Sequence, residues 1–337
     1  MADEFIPVTV ENSVARHRQD AEGEFIRATL GDDLFITSTG YMEAITADGE
    51  RLYSGRNPER ALEVFRELAE ERRRPGAIEV PELSEVDQEH SPPSPPDDAL
   101  VARINGRMLS RDPADGRVRL AGAGDFEALR ELEPDKILLL HAHLFEAQPD
   151  FLWLPAVEWR ALVKSDAAAG DEWTAPDRVL ERIACYHLIP GRIWAEGGEW
   201  RPADLRRATL RVRCERVEGD RLHLRLDGEV ALGSEYDASL ATSPNGPLGR
   251  GYEARLSGVM VVDRGRQSVE RFELLALGDS WGRMGDANNR SIVIERPGRW
   301  PLAFEFHLVT EDSPAMDRGL LPMGRNSKVR GFYLSQP

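Results

Sequence analysis

The chain has 337 residues and a mass of 37.7 kDa; 41% of its residues are hydrophobic, 30% are charged and its mean hydropathy is -0.44, so it can bury more than one core and is not disordered as a whole. Asp and Glu number 59 against 43 Lys and Arg, for a net charge of -16 and a pI near 5.0, a balance that argues against nucleic acid or an anionic membrane surface as the main partner. No window reaches the length of apolar chain that a membrane helix needs, and Met1-Ala-Asp-Glu has neither the basic nor the apolar part of a secretory signal, so the chain as written is expected in the cytoplasm. Cys185 and Cys214 stand far apart with no CxxC, which supports two buried thiols rather than a disulfide framework or a cysteine metal site.

Phe5 to Val10 reads as a strand, Asn12 or Ser13 can cap a helix running to about Leu30, and Gly40 to Thr46 reads as a second strand. Asp48-Gly49 is a hairpin turn into the short strand RLYSG at 51–55. From Pro58, with Asn57 as its cap, the segment PERALEVFRELAEERRR places Ala61, Leu62, Val64, Phe65 and Leu68 on one stripe of a helix. Residues 81–98 hold five prolines among acidic residues and serines, a composition that favours extended, solvated chain and marks an interdomain linker.

Beyond the linker, short alternating runs occupy Leu100 to Leu109, Arg117 to Leu120 and Lys136 to Phe145, with helices expected near 155–163 and 176–187. After Pro202 the pattern is β. Leu210, Val212 and Cys214 alternate with charged residues, and across Glu218-Gly219-Asp220 the alternation resumes at Leu222, Leu224 and Leu226. Further alternating segments run from Tyr252 to Val262, Ser268 to Leu277 and Leu302 to Val309, as a sandwich or partly open barrel requires. The expectation is an α+β protein: a first segment at 1–78, a Pro-rich linker at 79–98 and a β-rich domain with two helices at 99–337.

The phrases FIPV, GYMEAITADGERLYSG and the helix after NPER make residues 5–74 resemble the C-terminal half of a thioredoxin-like domain. The resemblance implies a partial α/β segment. No CxxC supplies a low-pKa thiolate and no proline precedes the 41–46 strand, so the segment is expected to be redox-inactive. The later stretches WLPAVEW, RVLERIACYHLIPG and FELLALGDSWG are similar to the β-rich tail of some uncharacterised bacterial thioredoxin-like proteins.

Three constellations could carry chemistry. His141 and His143, two apart on an expected strand, point the same way and could share a metal, with Glu146, Asp150 or His187 completing the site, although half-buried histidines at a strand end account for them more simply. Cys185 and His187 carry the types used by cysteine nucleophiles, but two positions apart on a helix they face different ways. The segment GDSWGRMGDANNR (278–290) reads as a loop that could meet a ligand through Asp279, Trp281, Asp286 and Asn288. Seven tryptophans, at 153, 159, 173, 194, 200, 281 and 300, either line a groove or join the helices to the sheet. No nucleotide fingerprint, Walker A, GxSxG or HExxH occurs.

The leading expectation is a non-enzymatic binding or interaction module, with no cofactor, contacting a protein or small-molecule ligand. The alternatives are a thiol–disulfide redox protein whose active half lies outside this chain, and a metal-dependent enzyme using His141 and His143.

Overall fold

Alternation of apolar and charged side chains becomes, from Leu205 onward, a run of long antiparallel strands that lay their apolar residues on one face. The computed structural model describes residues 17–30, 42–46, 50–55, 57–67, 94–126, 148–190, 200–238, 249–284, 294–313, 322 and 333. The chain divides into two compact units, Met1–Pro93 and Ser94–Pro337.

In the first unit, helix α1 (Ala21–Leu30) is followed by the strands β1 (Met42–Ile45) and β2 (Arg51–Gly55), an antiparallel pair, and by helix α2 (Pro58–Glu67). Asp20 begins α1: its carboxylate accepts the Gly23 N–H at 3.0 Å and is itself held by Arg18. Asn57 caps α2, its side-chain oxygen accepting from the N–H groups of Glu59 and Arg60 at 2.9 and 3.1 Å. The strand expected at Phe5–Val10 lies outside the described residues.

The second unit is built on one nine-stranded antiparallel sheet. Its strands are β3 (Leu100–Arg111), β4 (Val118–Leu120), β5 (Gln148–Leu154), β6 (Glu172–Thr174), β7 (Leu205–Glu218), β8 (Arg221–Gly233), β9 (Gly251–Asp263), β10 (Ser268–Met284) and β11 (Ile294–Leu308). β7 to β11 form a meander, β11 returns to pair with β3, and β3 carries β5 and β4 along its other side. Helices α3 (Ala156–Arg160) and α4 (Asp177–His187) lie between β5 and β7 in the chain. They fall where two helices were expected, α3 being the shorter.

Leu, Val, Ile, Met and Phe side chains from β3, β5, β7 to β11 and α4 belong to a single apolar cluster. One core shared by so many strands means that the sheet curls. Helix α4 fills the resulting gap, touching β5 at one border and β7 beside the other. Cys185 and Cys214 are both free and both buried in that core.

Two differences from the sequence reading have clear causes. β10 does not end at Leu277 but continues to Met284, where Gly282, Arg283 and Met284 pair with Arg296, Glu295 and Ile294 across a bulge at Trp281. The glycines that suggested a loop serve close approach instead: a Cβ on Gly278 would lie 1.8 Å from the Glu253 carbonyl oxygen. β5 went unseen because both of its faces are covered, Leu152 and Leu154 by the core and Phe151 and Trp153 on the other side, which leaves no alternation to read. The strand expected at Lys136–Phe145 lies outside the described residues.

Gly278→Ala should lower the free energy of unfolding in urea by about 1–3 kcal/mol, since the β9 backbone must move aside. Gly124→Ala, whose Cβ would meet nothing within 4 Å, should stay within about 0.5 kcal/mol of the parent.

Candidate functional site

Two clusters of chemistry-bearing side chains stand out in the second unit, one in the gap between β5 and α4 and one on the outer face at the far end of β10. Asp150 on β5 sits in register with Ile104 and so faces inward. α4 buries Val179, Leu180, Ile183 and Ala184, and His187, one turn beyond Ile183, falls on the same stripe. The two meet there. His187 Nδ1 is 2.6 Å from Asp150 Oδ2, and its Nε2 is 2.9 Å from the Tyr333 hydroxyl.

One turn earlier, Arg182 makes a two-pronged pair with Glu158 of α3, at 2.6 and 2.7 Å, and Glu158 also receives Arg178 at 2.9 Å. Glu158 and Arg182 are about 3% and 5% exposed at their side chains, so neither charge can fall back on water if the other is lost. Burial pulls the Arg182 pKa down, but the hydrogen bond and charge of Glu158, with the Tyr333 contact, outweigh it and raise it. Burial also raises the Tyr333 pKa, which keeps its phenol protonated.

Burial disfavours the thiolate at the neighbouring cysteine. Desolvation, reinforced by Glu181 and Asp204, pushes Cys185 up to about 12, and desolvation raises Cys214 as well. Cys185 and His187 therefore do not form a pair; the imidazole partners Asp150, as the helical spacing implied it would have to turn elsewhere.

On the outer face, β10 and β9 place Asp279 directly opposite Glu253, an arrangement of like charges that needs cations between them. Arg206 reaches Glu253 at 2.8 Å, Arg111 reaches Asp279 at 2.6 Å, and Arg299 on β11 bridges both, at 3.1 Å to Glu253 and 3.5 Å to Asp279. The guanidinium of Arg206 and then that of Arg299 hold the Glu253 carboxyl below its ordinary range. Arg299 also lies over two rings, 4.8 Å from that of Trp281 and 5.6 Å from that of Tyr236. Beneath it, Trp281 is buried, and its indole N–H meets no hydrogen-bond partner among the described residues. Gly251, opposite Trp281 in the ladder, makes room for the indole, since a Cβ there would come within 2.3 Å of it.

Asp279 and Trp281 thus belong to this rim, on a strand rather than in a loop, while Asp286, Asn288, His141 and His143 lie outside the described residues. Of the tryptophans, 159 and 200 are core residues and 153 is buried under Tyr333. Among the described residues no three His, Cys, Asp or Glu side chains are arranged to hold a metal ion. No family model, curated protein or solved structure matches this chain.

Sequence reasoning named Asp150 only as a possible completion of a histidine metal site and His187 as that or as a partner of Cys185, and it missed Glu158, Arg182, Tyr333 and Arg299. Nothing local marks those four; they are joined by folding across long stretches of chain.

Replacing Glu158 by Ala should cost about 3–5 kcal/mol in chemical denaturation because it strands Arg182 in the interior. Pairing Glu158→Leu with Arg182→Met should recover most of that loss, which a double-mutant cycle would read directly.

Proposed function

We propose that the chain is a non-enzymatic interaction module. In this reading the second unit, a partly open barrel plugged by α4, is the scaffold, and the rim around Arg299 is the contact surface for a protein partner. The observation that carries it is Arg299 held between two aromatic rings and two carboxylates, with the buried indole of Trp281 beneath. Trp, Tyr and Arg in one place are the residue types that dominate binding energy at protein interfaces, and a guanidinium already fixed by its neighbours loses little freedom on docking. The interior supports the same reading, since its titratable groups are tied to one another and its thiols are kept protonated. The first unit is proposed as a redox-inactive thioredoxin-like segment; its helix, strand pair and helix follow one another as that resemblance requires.

Neither cysteine should react with a disulfide reagent at pH 8 until the protein is unfolded in urea, when both should; prompt reaction of the folded protein would reopen the redox alternative. For the rim, in-cell cross-linking from position 236 should give a defined partner adduct that Arg299→Glu reduces at least about tenfold. An exposed wall variant such as Arg213→Ala should leave it unchanged. An adduct pattern insensitive to Arg299→Glu removes the rim from the proposal.

A further inference from the structure

Tyr333 meets Trp153 of β5 from 180 positions away along the chain, and Arg182 of α4 from 151. Its hydroxyl accepts the Trp153 N–H at 3.0 Å, donates toward the Trp153 carbonyl at 3.1 Å and lies 2.9 Å from His187 Nε2. The ring stands edge-on to Tyr186 at 5.3 Å and to His187 at 5.5 Å, and the Arg182 guanidinium carbon is 4.8 Å from its centre. Arg182 Nη1 donates to the Tyr333 carbonyl, so the main chain as well as the phenol is recognised.

The walls of this pocket are held by bonds in which Tyr333 takes no part. The ladder from Leu100 to Gly106 fixes β5, Asp150 orients His187, and Glu158 orients Arg182. A pocket positioned by its own supporting bonds keeps its shape when the occupant is removed. Its chemistry is selective. A phenol can accept from the Trp153 N–H and donate its one hydrogen to the Trp153 carbonyl or to His187 Nε2, whereas a plain benzene ring takes both the donor and the acceptor away from the Trp153 main chain.

We propose that the gap between β5 and α4 is a tyrosine-recognition site, filled in cis by Tyr333, and open to a para-alkyl phenol when that side chain is absent. Its ligand class is the tyrosine residue of a polypeptide. The site is separate from the rim around Arg299, and its test does not depend on that reading.

The full chain carrying Tyr333→Ala should unfold roughly 10 °C below the parent, as expected for emptying a buried aromatic site. Added 4-methylphenol should restore part of that loss saturably and bind at least about tenfold more tightly than toluene. The parent, whose site is filled, should show no shift. Tyr333→Phe keeps the ring and should accelerate hydrogen exchange at the Trp153 amide while the amides of the β8–β9 ladder keep their protection. The inference is overturned if 4-methylphenol shifts parent and Tyr333→Ala alike, if toluene binds as tightly, or if the Trp153 amide exchanges in Tyr333→Phe as in the parent. Should Tyr333→Ala fail to fold, the Tyr333→Phe exchange result decides alone.

Discussion

Helix α4 holds the two sides of the curled sheet together, and the polar bonds along its buried stripe are the constraint on which the second unit depends. Among the described residues the sheet has two borders, at β4 and β5 and at β6, and an apolar face to seal. Apolar packing of Val179, Leu180, Ile183 and Ala184 seals the interior but does not set the helix at one height. The bonds Asp150–His187 and Glu158–Arg182 do, because each is directional and each has a partner fixed elsewhere, on β5 and on α3. A buried ionic pair such as Glu158–Arg182 is a weak source of stability compared with well-packed apolar residues, so its value here is in register rather than strength.

The same division of labour explains the outer face. Along β7 and β8 the outward positions set Arg beside Glu or Asp, in pairs such as Arg207–Glu229 and Arg225–Asp227 that are well exposed and contribute little each. Around Arg299 the pattern is different. Glu253 and Asp279 oppose each other, a bulge turns Trp281 onto the surface of β9, and one guanidinium serves two carboxylates and two rings. Removing any member leaves its neighbours short of a partner, so the cluster behaves as a unit, unlike the independent pairs on the wall.

Legibility from the sequence followed the range of the interactions. Helix α2, with Asn57 as its cap and Pro58 at its start, is written in consecutive residues, and so is the β7–β8 hairpin around Gly219. β5 is not, because a strand covered on both faces carries no alternation, and the far half of β10 is not, because Gly278 and Gly282 read as loop residues when they are sites of close backbone approach. Asp279 and Trp281 were recognisable as residues of interest for a reason that did not hold, their supposed place in a loop. Their partner Arg299 had no signal at all, since one arginine among many acquires meaning only when β11 sets it beside β10.

His187 shows the limit most clearly. Its distance of two residues from Cys185 invites a thiol–imidazole pair, and helical geometry alone rejects it, yet no sequence argument says where the imidazole goes instead. Its partners come from β5 and from Tyr333, one earlier and one later in the chain. The rim and the gap therefore arise by one physical route. Each is a place where the regular ladder ends or is interrupted, at a bulge or at a border, and where backbone or side-chain polar groups must find partners that the ladder does not provide. In so regular a sheet, these interruptions are where side chains are freed from forming the wall and can meet something else.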